Sequence, residues 1–156
     1  MSKVLIVYHS LGGNTKAAAE AVAEGVGAGG AEALIKEGLK AGPDDLLACD
    51  AIAVGTPDYF SYMAGGLKDF FDRSFYPTQG QVTGKPCGIF VTHGGGGKAV
   101  ASMNSICASF KFKLVAEPVQ VLNRPDKAAA QKLRALGKAL AKATQKRSCP
   151  IRPSSR

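Results

Sequence analysis

The chain of 156 residues contains no tryptophan, only two histidines, and four cysteines that lie far apart with no C-x-x-C spacing. This pattern predicts neither a zinc site nor a disulfide scaffold, so we expect no bound metal and reduced, mostly structural thiols. No run approaches the roughly 18 to 20 apolar residues that cross a bilayer. The N-terminus MSKVLIVYHS lacks the basic, apolar and small-residue regions of a signal peptide. The sequence therefore predicts a soluble, cytoplasmic protein without a membrane span.

Acidic residues are missing from the last part of the chain. Nine of the 20 Lys and Arg residues lie in residues 127–156, which contain no Asp or Glu. Eleven basic residues remain against all twelve acidic ones in residues 1–126, so the net charge of +8 is a C-terminal property. A basic final helix is most often a solvated face, and we expect no nucleic-acid partner. We predict a single domain over residues 1–147 and a basic tail over 148–156.

Strand and helix patterns alternate along the sequence. Apolar runs typical of parallel strands occupy residues 3–8, 50–55, 85–92 and 114–122, and Pro118 implies a bulge or an edge position in the last of them. Residues 31–36 have the weaker pattern of an edge strand. Helical patterns occupy residues 14–26, 43–48, 63–74, 98–110 and about 125–143. This alternation predicts a doubly wound α/β sheet. Ligands of such sheets bind beyond the carboxyl ends of the strands, so the loops that follow the strands are the candidate site.

The loop after the first strand, SLGGNT, leads directly into a helix. A helix start offers unpaired N–H groups and partial positive charge, and glycines allow close approach of the backbone. The loop therefore predicts a cradle for one phosphate, although a glycine turn with a helix cap is a simpler interpretation. The G-x-x-x-x-G-K-[ST] pattern is absent, which disfavours ATP or GTP hydrolysis.

Two later loops differ sharply in side-chain content. Residues 55–62 (GTPDYFSY) combine aromatics with Asp58 and Ser61, which suits a wall for a flat ring. Residues 92–97 (THGGGG) carry almost no side chains, which favours contact through the backbone. Together with the phosphate cradle, these loops indicate a mononucleotide with a planar ring. Residues 25–30 match the dinucleotide motif G-x-G-x-x-G, and residues 94–99 match its form with a final alanine. Neither predicts a dinucleotide site, because the first match follows a helix and the second is not followed by a strand that ends in an acidic residue to bind the ribose.

The string GTPDYFSYMAGGLKDFFDRSF (residues 55–75), followed by THGGGG, resembles the flavodoxin-like NAD(P)H:quinone oxidoreductases of the tryptophan-repressor-binding-protein type. The resemblance spans roughly residues 3–122. It implies a three-layer flavodoxin-like sandwich with a five-stranded parallel sheet of order 2-1-3-4-5, and an FMN-binding domain over residues 1–147. It also implies FMN as the cofactor and NAD(P)H as the co-substrate.

The resemblance also assigns site residues. It places the FMN phosphate on the first loop (Ser10, Leu11, Gly12, Gly13, Asn14, Thr15). It places the isoalloxazine ring between the second loop (Thr56, Pro57, Asp58, Tyr59, Phe60) and the third (Thr92, His93, Gly94, Gly95, Gly96, Gly97). His93 is the candidate catalytic residue, as a donor to a flavin carbonyl or a proton source for a quinone oxygen; a structural cap of the glycine loop is the alternative.

The third loop lacks an aromatic side chain and acidic neighbours, so it leaves one ring face open. An open face favours an NAD(P)H-dependent oxidoreductase that reduces quinones or similar small acceptors. A flavodoxin-type electron carrier is the alternative, since the segment between the last strand and last helix is shorter than in the quinone reductases. A non-enzymatic FMN-binding regulatory module is a third interpretation. The expected partners are a small-molecule electron donor and acceptor, or a redox protein, and a homo-oligomer is compatible with the sequence.

Overall fold

The computed structural model describes residues 1–147, and the predicted tail at 148–156 lies outside them. Its strands are β1 (Lys3–Tyr8), β2 (Glu32–Glu37), β3 (Ala51–Tyr59), β4 (Tyr62–Met63), β5 (Pro86–His93), β6 (Lys113–Leu114) and β7 (Val119–Leu122). Its helices are α1 (Asn14–Ala28), α2 (Pro43–Ala48), α3 (Gly65–Thr78), α4 (Ala99–Ser109) and α5 (Lys127–Arg147). Among these described helices, none has the length and apolar content required to cross a bilayer.

The sheet confirms the predicted doubly wound class. Its strands follow the order β2-β1-β3-β5-β6, and β7 also pairs with β5. All of these pairings are parallel, while the short β4 pairs antiparallel with β3. The predicted fourth strand is β5, and the predicted fifth strand corresponds to β6 and β7. Counted in this way, the spatial order 2-1-3-4-5 is confirmed.

The predicted number of five strands is wrong, because the sheet formed by the described part of the chain has seven. Residues 115–118 interrupt the predicted strand 114–122, and Pro118 has no N–H group to donate to a ladder. The predicted loop 56–62 instead continues β3 to Tyr59 and returns as β4. Phe60 and Ser61 make this turn with φ values of 55° and 64°. Tight hairpin turns of this kind usually contain Asn or Gly, so the sequence carried no clear turn signal.

The central strands are buried on both faces, which explains their continuous apolar runs. Leu5, Ile52 and Ile89 face one cluster, which contains Leu67, Phe70 and Phe71 of α3 and Met103 of α4. Val4, Ile6 and Phe90 face the other cluster, with Ala18 and Val22 of α1 and Leu133, Leu136 and Leu140 of α5. The result is the predicted arrangement of a sheet between two helix layers.

Glycines bring α1 and α5 into backbone contact. A Cβ atom on Gly25 would overlap the carbonyl group of Arg134, and one on Gly137 would overlap the carbonyl oxygen of Val22. A Cβ atom on Gly29 would lie 2.7 Å from that of Ala141. The glycine motif at residues 25–30 therefore contributes to helix packing, in agreement with its exclusion as a dinucleotide motif.

Candidate functional site

A cleft of about 230 Å³ lies where the loops after β1, β3 and β5 meet. Eleven of its twelve lining residues belong to the predicted set: Ser10, Leu11, Gly12, Asn14, Thr15, Pro57, Asp58, Tyr59, Thr92, His93 and Gly94. The twelfth is Asn123, which follows β7. The three predicted loops thus converge at the carboxyl ends of the strands. Larger grooves along the β6–β7 edge contain none of the predicted residues.

The first loop presents the N-terminus of α1 to this cleft. Gly13 precedes the helix with a φ of 96°, a left-handed conformation that disfavours a side chain. Among residues 1–147, no side chain caps the helix, and its first turn contains no acidic residue. The Ser10 Oγ atom instead accepts a hydrogen bond from the Gly13 amide at 3.0 Å. The first-turn N–H groups, which have no partner within the helix, therefore suit a bound anion.

A buried pair of hydroxyl groups connects the first loop to the third. The Oγ1 atoms of Thr15 and Thr92 are 2.7 Å apart, and both residues are buried. Thr15 lies in the first turn of α1, and Thr92 lies near the end of β5. This hydrogen bond fixes the helix N-terminus relative to the glycine-rich loop.

The second loop forms one wall of the cleft through the β3–β4 hairpin. Thr56 is fully buried; its hydroxyl donates to the Pro57 carbonyl at 2.7 Å and accepts from the Ala64 amide at 2.9 Å. Tyr59 is half-buried and lines the cleft. The His9 ring packs edge-on against the Tyr59 ring, with 6.1 Å between the ring centroids. Phe60 occupies the hairpin tip, where its side chain is fully exposed and outside the cleft lining. The aromatic surface of the cleft is therefore that of Tyr59.

The third loop is shaped by two hydrogen bonds. The Nδ1 atom of His93 accepts from the Gly95 amide at 3.0 Å, which is the capping role considered for this residue. This bond leaves Nε2 as the atom of a neutral imidazole that can donate. The Lys98 amide donates to the Asp58 Oδ2 atom at 2.8 Å, which ties the second loop to the third. Gly97 has a φ of 68°, and a Cβ atom there would overlap the Gln120 side chain.

Asn123 was not predicted as a site residue. It adopts a φ of 57°, and its backbone N–H group donates to the His93 carbonyl oxygen at 2.8 Å. Asparagine tolerates this left-handed conformation better than most residues, so the Asn in LNRP was a weak turn signal after the last strand. The split of the predicted fifth strand brings this turn to the edge of the cleft.

The parallel sheet, its strand order and the site at the strand ends define a protein of the flavodoxin-like class. The NADPH-dependent FMN reductase family matches residues 35–125, and the chain belongs to this family. The matched segment includes the second and third loops and ends beyond Asn123. The predicted family resemblance is therefore confirmed.

The chain is similar both to flavodoxins and to NAD(P)H dehydrogenases (quinone). The chain is 36% identical over 115 residues to a flavodoxin of Aquifex aeolicus, covering 72% of this chain and 62% of that one. It is 32% identical over 145 residues to an NAD(P)H dehydrogenase (quinone) of Chromohalobacter salexigens, covering 76% and 72%. A solved archaeal flavodoxin superposes with a TM-score of 0.84 at 26% identity, covering 92% of this chain and 99% of that one. The chain spans only 47 to 62% of the length of three of its curated relatives.

Proposed function

We propose that this chain binds FMN in the cleft and transfers electrons from NAD(P)H to a quinone or a similar small acceptor. The observation that supports this most directly is the uncapped N-terminus of α1, which lies opposite a loop almost without side chains. The family match and the quinone dehydrogenase relatives point to the same activity. Residues 1–147 form the proposed FMN-binding domain.

The residues present fit an FMN molecule. The first-turn N–H groups of α1, with the side chains of Ser10, Asn14 and Thr15, offer uncharged donors to the phosphate. The Tyr59 side chain offers an aromatic surface for one side of the ring, and residues 92–94 of the third loop border the other side; Gly95, Gly96 and Gly97 do not line the cleft. The cleft of about 230 Å³ is open, so part of the bound ring stays accessible. Bound FMN would supply the capacity to accept a hydride and pass its electrons on.

The chain's own groups determine access to the ring. Because residues 94–97 are all glycine, this part of the third loop has no side chain that could cover a bound ring, which leaves room for a nicotinamide or quinone to stack there. The Asp58–Lys98 bond holds this loop against the hairpin. We propose that His93, fixed through Nδ1, donates from Nε2 to an oxygen of the ring or of the acceptor.

A second candidate function is that of an electron carrier without its own substrate. The likeness to the Aquifex and archaeal flavodoxins favours it. Under this alternative, the bound FMN exchanges electrons with a redox protein and does not react with NADH or NADPH.

The test begins with the purified chain and FMN. We expect tight binding, seen as quenching of FMN fluorescence, and anaerobic bleaching of the flavin absorption band by NADPH or NADH. Addition of benzoquinone should restore the band. A complex that dithionite bleaches but neither nucleotide does would identify the carrier. Failure to bind FMN would overturn both functions.

A further inference from the structure

Two buried thiols touch each other between the sheet and a helix. The Sγ atoms of Cys87 on β5 and Cys107 on α4 are 3.8 Å apart, and both residues are almost completely buried. Both are free thiols. The hydrogen bond to Cys107, and then burial, raise the pKa of the Cys87 thiol well above its usual range. Cys87 is therefore a thiol at neutral pH and a poor first target for an oxidant.

Cys107 borders a surface groove, although its side chain is almost completely buried. It contributes to the wall of a groove of about 590 Å³ between α4 and the interrupted β6–β7 edge, with Phe112 and Leu114 among its neighbours. Cys87 does not line this groove. Because Cys107 lines this groove and Cys87 does not, a small oxidant that enters from the groove meets Cys107 before Cys87.

We propose that Cys87 and Cys107 are a thiol pair that hydrogen peroxide converts to a reversible intramolecular disulfide. Peroxide oxidises the Cys107 sulfur to a sulfenic acid and releases one water. The Cys87 sulfur then displaces the hydroxyl group, which leaves as a second water with the Cys87 proton. Two thiols and one peroxide thus give one disulfide and two waters, and an added dithiol reverses the oxidation by thiol–disulfide exchange.

The bond would close a covalent ring around the third loop. The two cysteines are 20 positions apart, and the segment between them contains residues 94–97 and most of α4. A cross-link that closes such a loop restricts the unfolded chain and stabilises the folded one. Oxidation should therefore make the glycine-rich loop harder to unfold. The thiol chemistry does not depend on the proposed FMN function.

Peptide mapping of the full chain tests the pairing. Trypsin cleaves after Arg73, Lys98 and Lys111, so Cys87 lies on peptide 74–98 and Cys107 on peptide 99–111. Trypsin does not cleave after Lys85, because proline follows it. After peroxide treatment of the folded protein, we expect these peptides to be disulfide-linked and the denatured thiol titre to fall from four to two. A linkage of Cys87 to Cys49, or no linkage between the two peptides, would overturn the proposal.

Variants and thermal unfolding test the consequence. Cys107→Ala should abolish the loss of two thiols, whereas Cys49→Ala, which alters a buried thiol outside the pair, should retain it. Peroxide should raise the unfolding temperature of the native sequence and of Cys49→Ala, and a dithiol should restore the original value. A linked protein whose unfolding temperature falls or stays constant would refute the stabilising ring. The mapping of the native chain needs no variant, so a poorly folded substitution leaves the test intact.

Discussion

The Asp58 carboxylate accepts a hydrogen bond from the backbone amide of Lys98 at 2.8 Å. Asp58 belongs to the β3–β4 hairpin, and Lys98 immediately precedes α4, so one bond joins two of the three loops around the cleft. A Cβ atom added to Gly96 would lie 3.4 Å from the same carboxylate oxygen, which shows how closely the two loops approach each other.

This contact makes Asp58 a positioning residue for the third loop. Asp58→Ala should weaken FMN binding about tenfold, since roughly 1.5 kcal/mol is typical of a lost hydrogen bond to a charged group. Asp58→Asn keeps an acceptor oxygen and should stay within about threefold of the native affinity. Fluorescence titration with FMN measures both. Equal losses in the two variants would mean that the negative charge, and not the hydrogen bond, matters.

The neighbouring aromatics Tyr59 and Phe60 should differ in effect. Tyr59 lines the cleft, so Tyr59→Ala should weaken FMN binding about fivefold through loss of ring contact, of the order of 1 kcal/mol. Phe60 is fully exposed, so Phe60→Ala should change the affinity for FMN by less than about twofold, because no contact with the bound ring is lost. The same titration measures both. A larger loss for Phe60→Ala would show that the hairpin tip folds over the bound ring.

Lys85 stabilises the end of a short helix from inside the protein. Its ammonium group donates at 2.6 Å to the carbonyl oxygens of both Leu46 and Cys49 at the C-terminus of α2. Lys85→Met should lower the free energy of unfolding by about 2 to 3 kcal/mol, because two carbonyls lose a charged donor. The control is Lys68→Met, which breaks a partly exposed pair with Asp72 and should cost less than about 1 kcal/mol. Chemical denaturation measures both, and similar losses would contradict the capping role.

The contact between α1 and α5 predicts opposite effects for two helical glycines. Gly137→Ala should destabilise the fold by about 2 kcal/mol or more, because the added Cβ overlaps the Val22 carbonyl. Gly27→Ala meets no atom within 4 Å and should stabilise by about 0.5 to 1 kcal/mol through helix propensity. Thermal unfolding distinguishes the two, and a neutral Gly137→Ala would mean that the helices separate easily.

Ser74 on α3 carries a stability cost. Among the buried side-chain oxygen and nitrogen atoms of the described residues, the Ser74 Oγ atom is the one that has no hydrogen-bond partner. Ser74→Ala removes an unsatisfied hydroxyl and should stabilise the fold by about 1 kcal/mol. The matched change Thr78→Val removes a hydroxyl that donates to the Ser74 carbonyl at 2.8 Å and should destabilise by a similar amount. A rise in stability for both variants would argue against the role of hydrogen bonding.

The strands and the three loops were predictable because their signals are local. Continuous apolar runs mark strands buried on two faces, and five of the central strand residues lie in the two clusters as expected for alternation: Val4, Leu5, Ile6, Ile52 and Ala53. Glycine and hydroxyl residues after such strands mark ligand loops. The three loops chosen on these grounds contain eleven of the twelve residues that line the cleft, and the family resemblance assigned those residues individually. Their roles toward FMN stay predictions.

The sequence by itself determined the class of fold and which loops border the cleft, because parallel strands of a doubly wound sheet end at one edge. Only the tertiary structure decided what depends on distant contacts: the β3–β4 hairpin, the position of Asn123 at the cleft and the outward position of Phe60. It also decided that Cys87 and Cys107 meet, although 20 positions separate them along the chain. Packing between separate elements creates these relationships, and no local pattern of residue types encodes it.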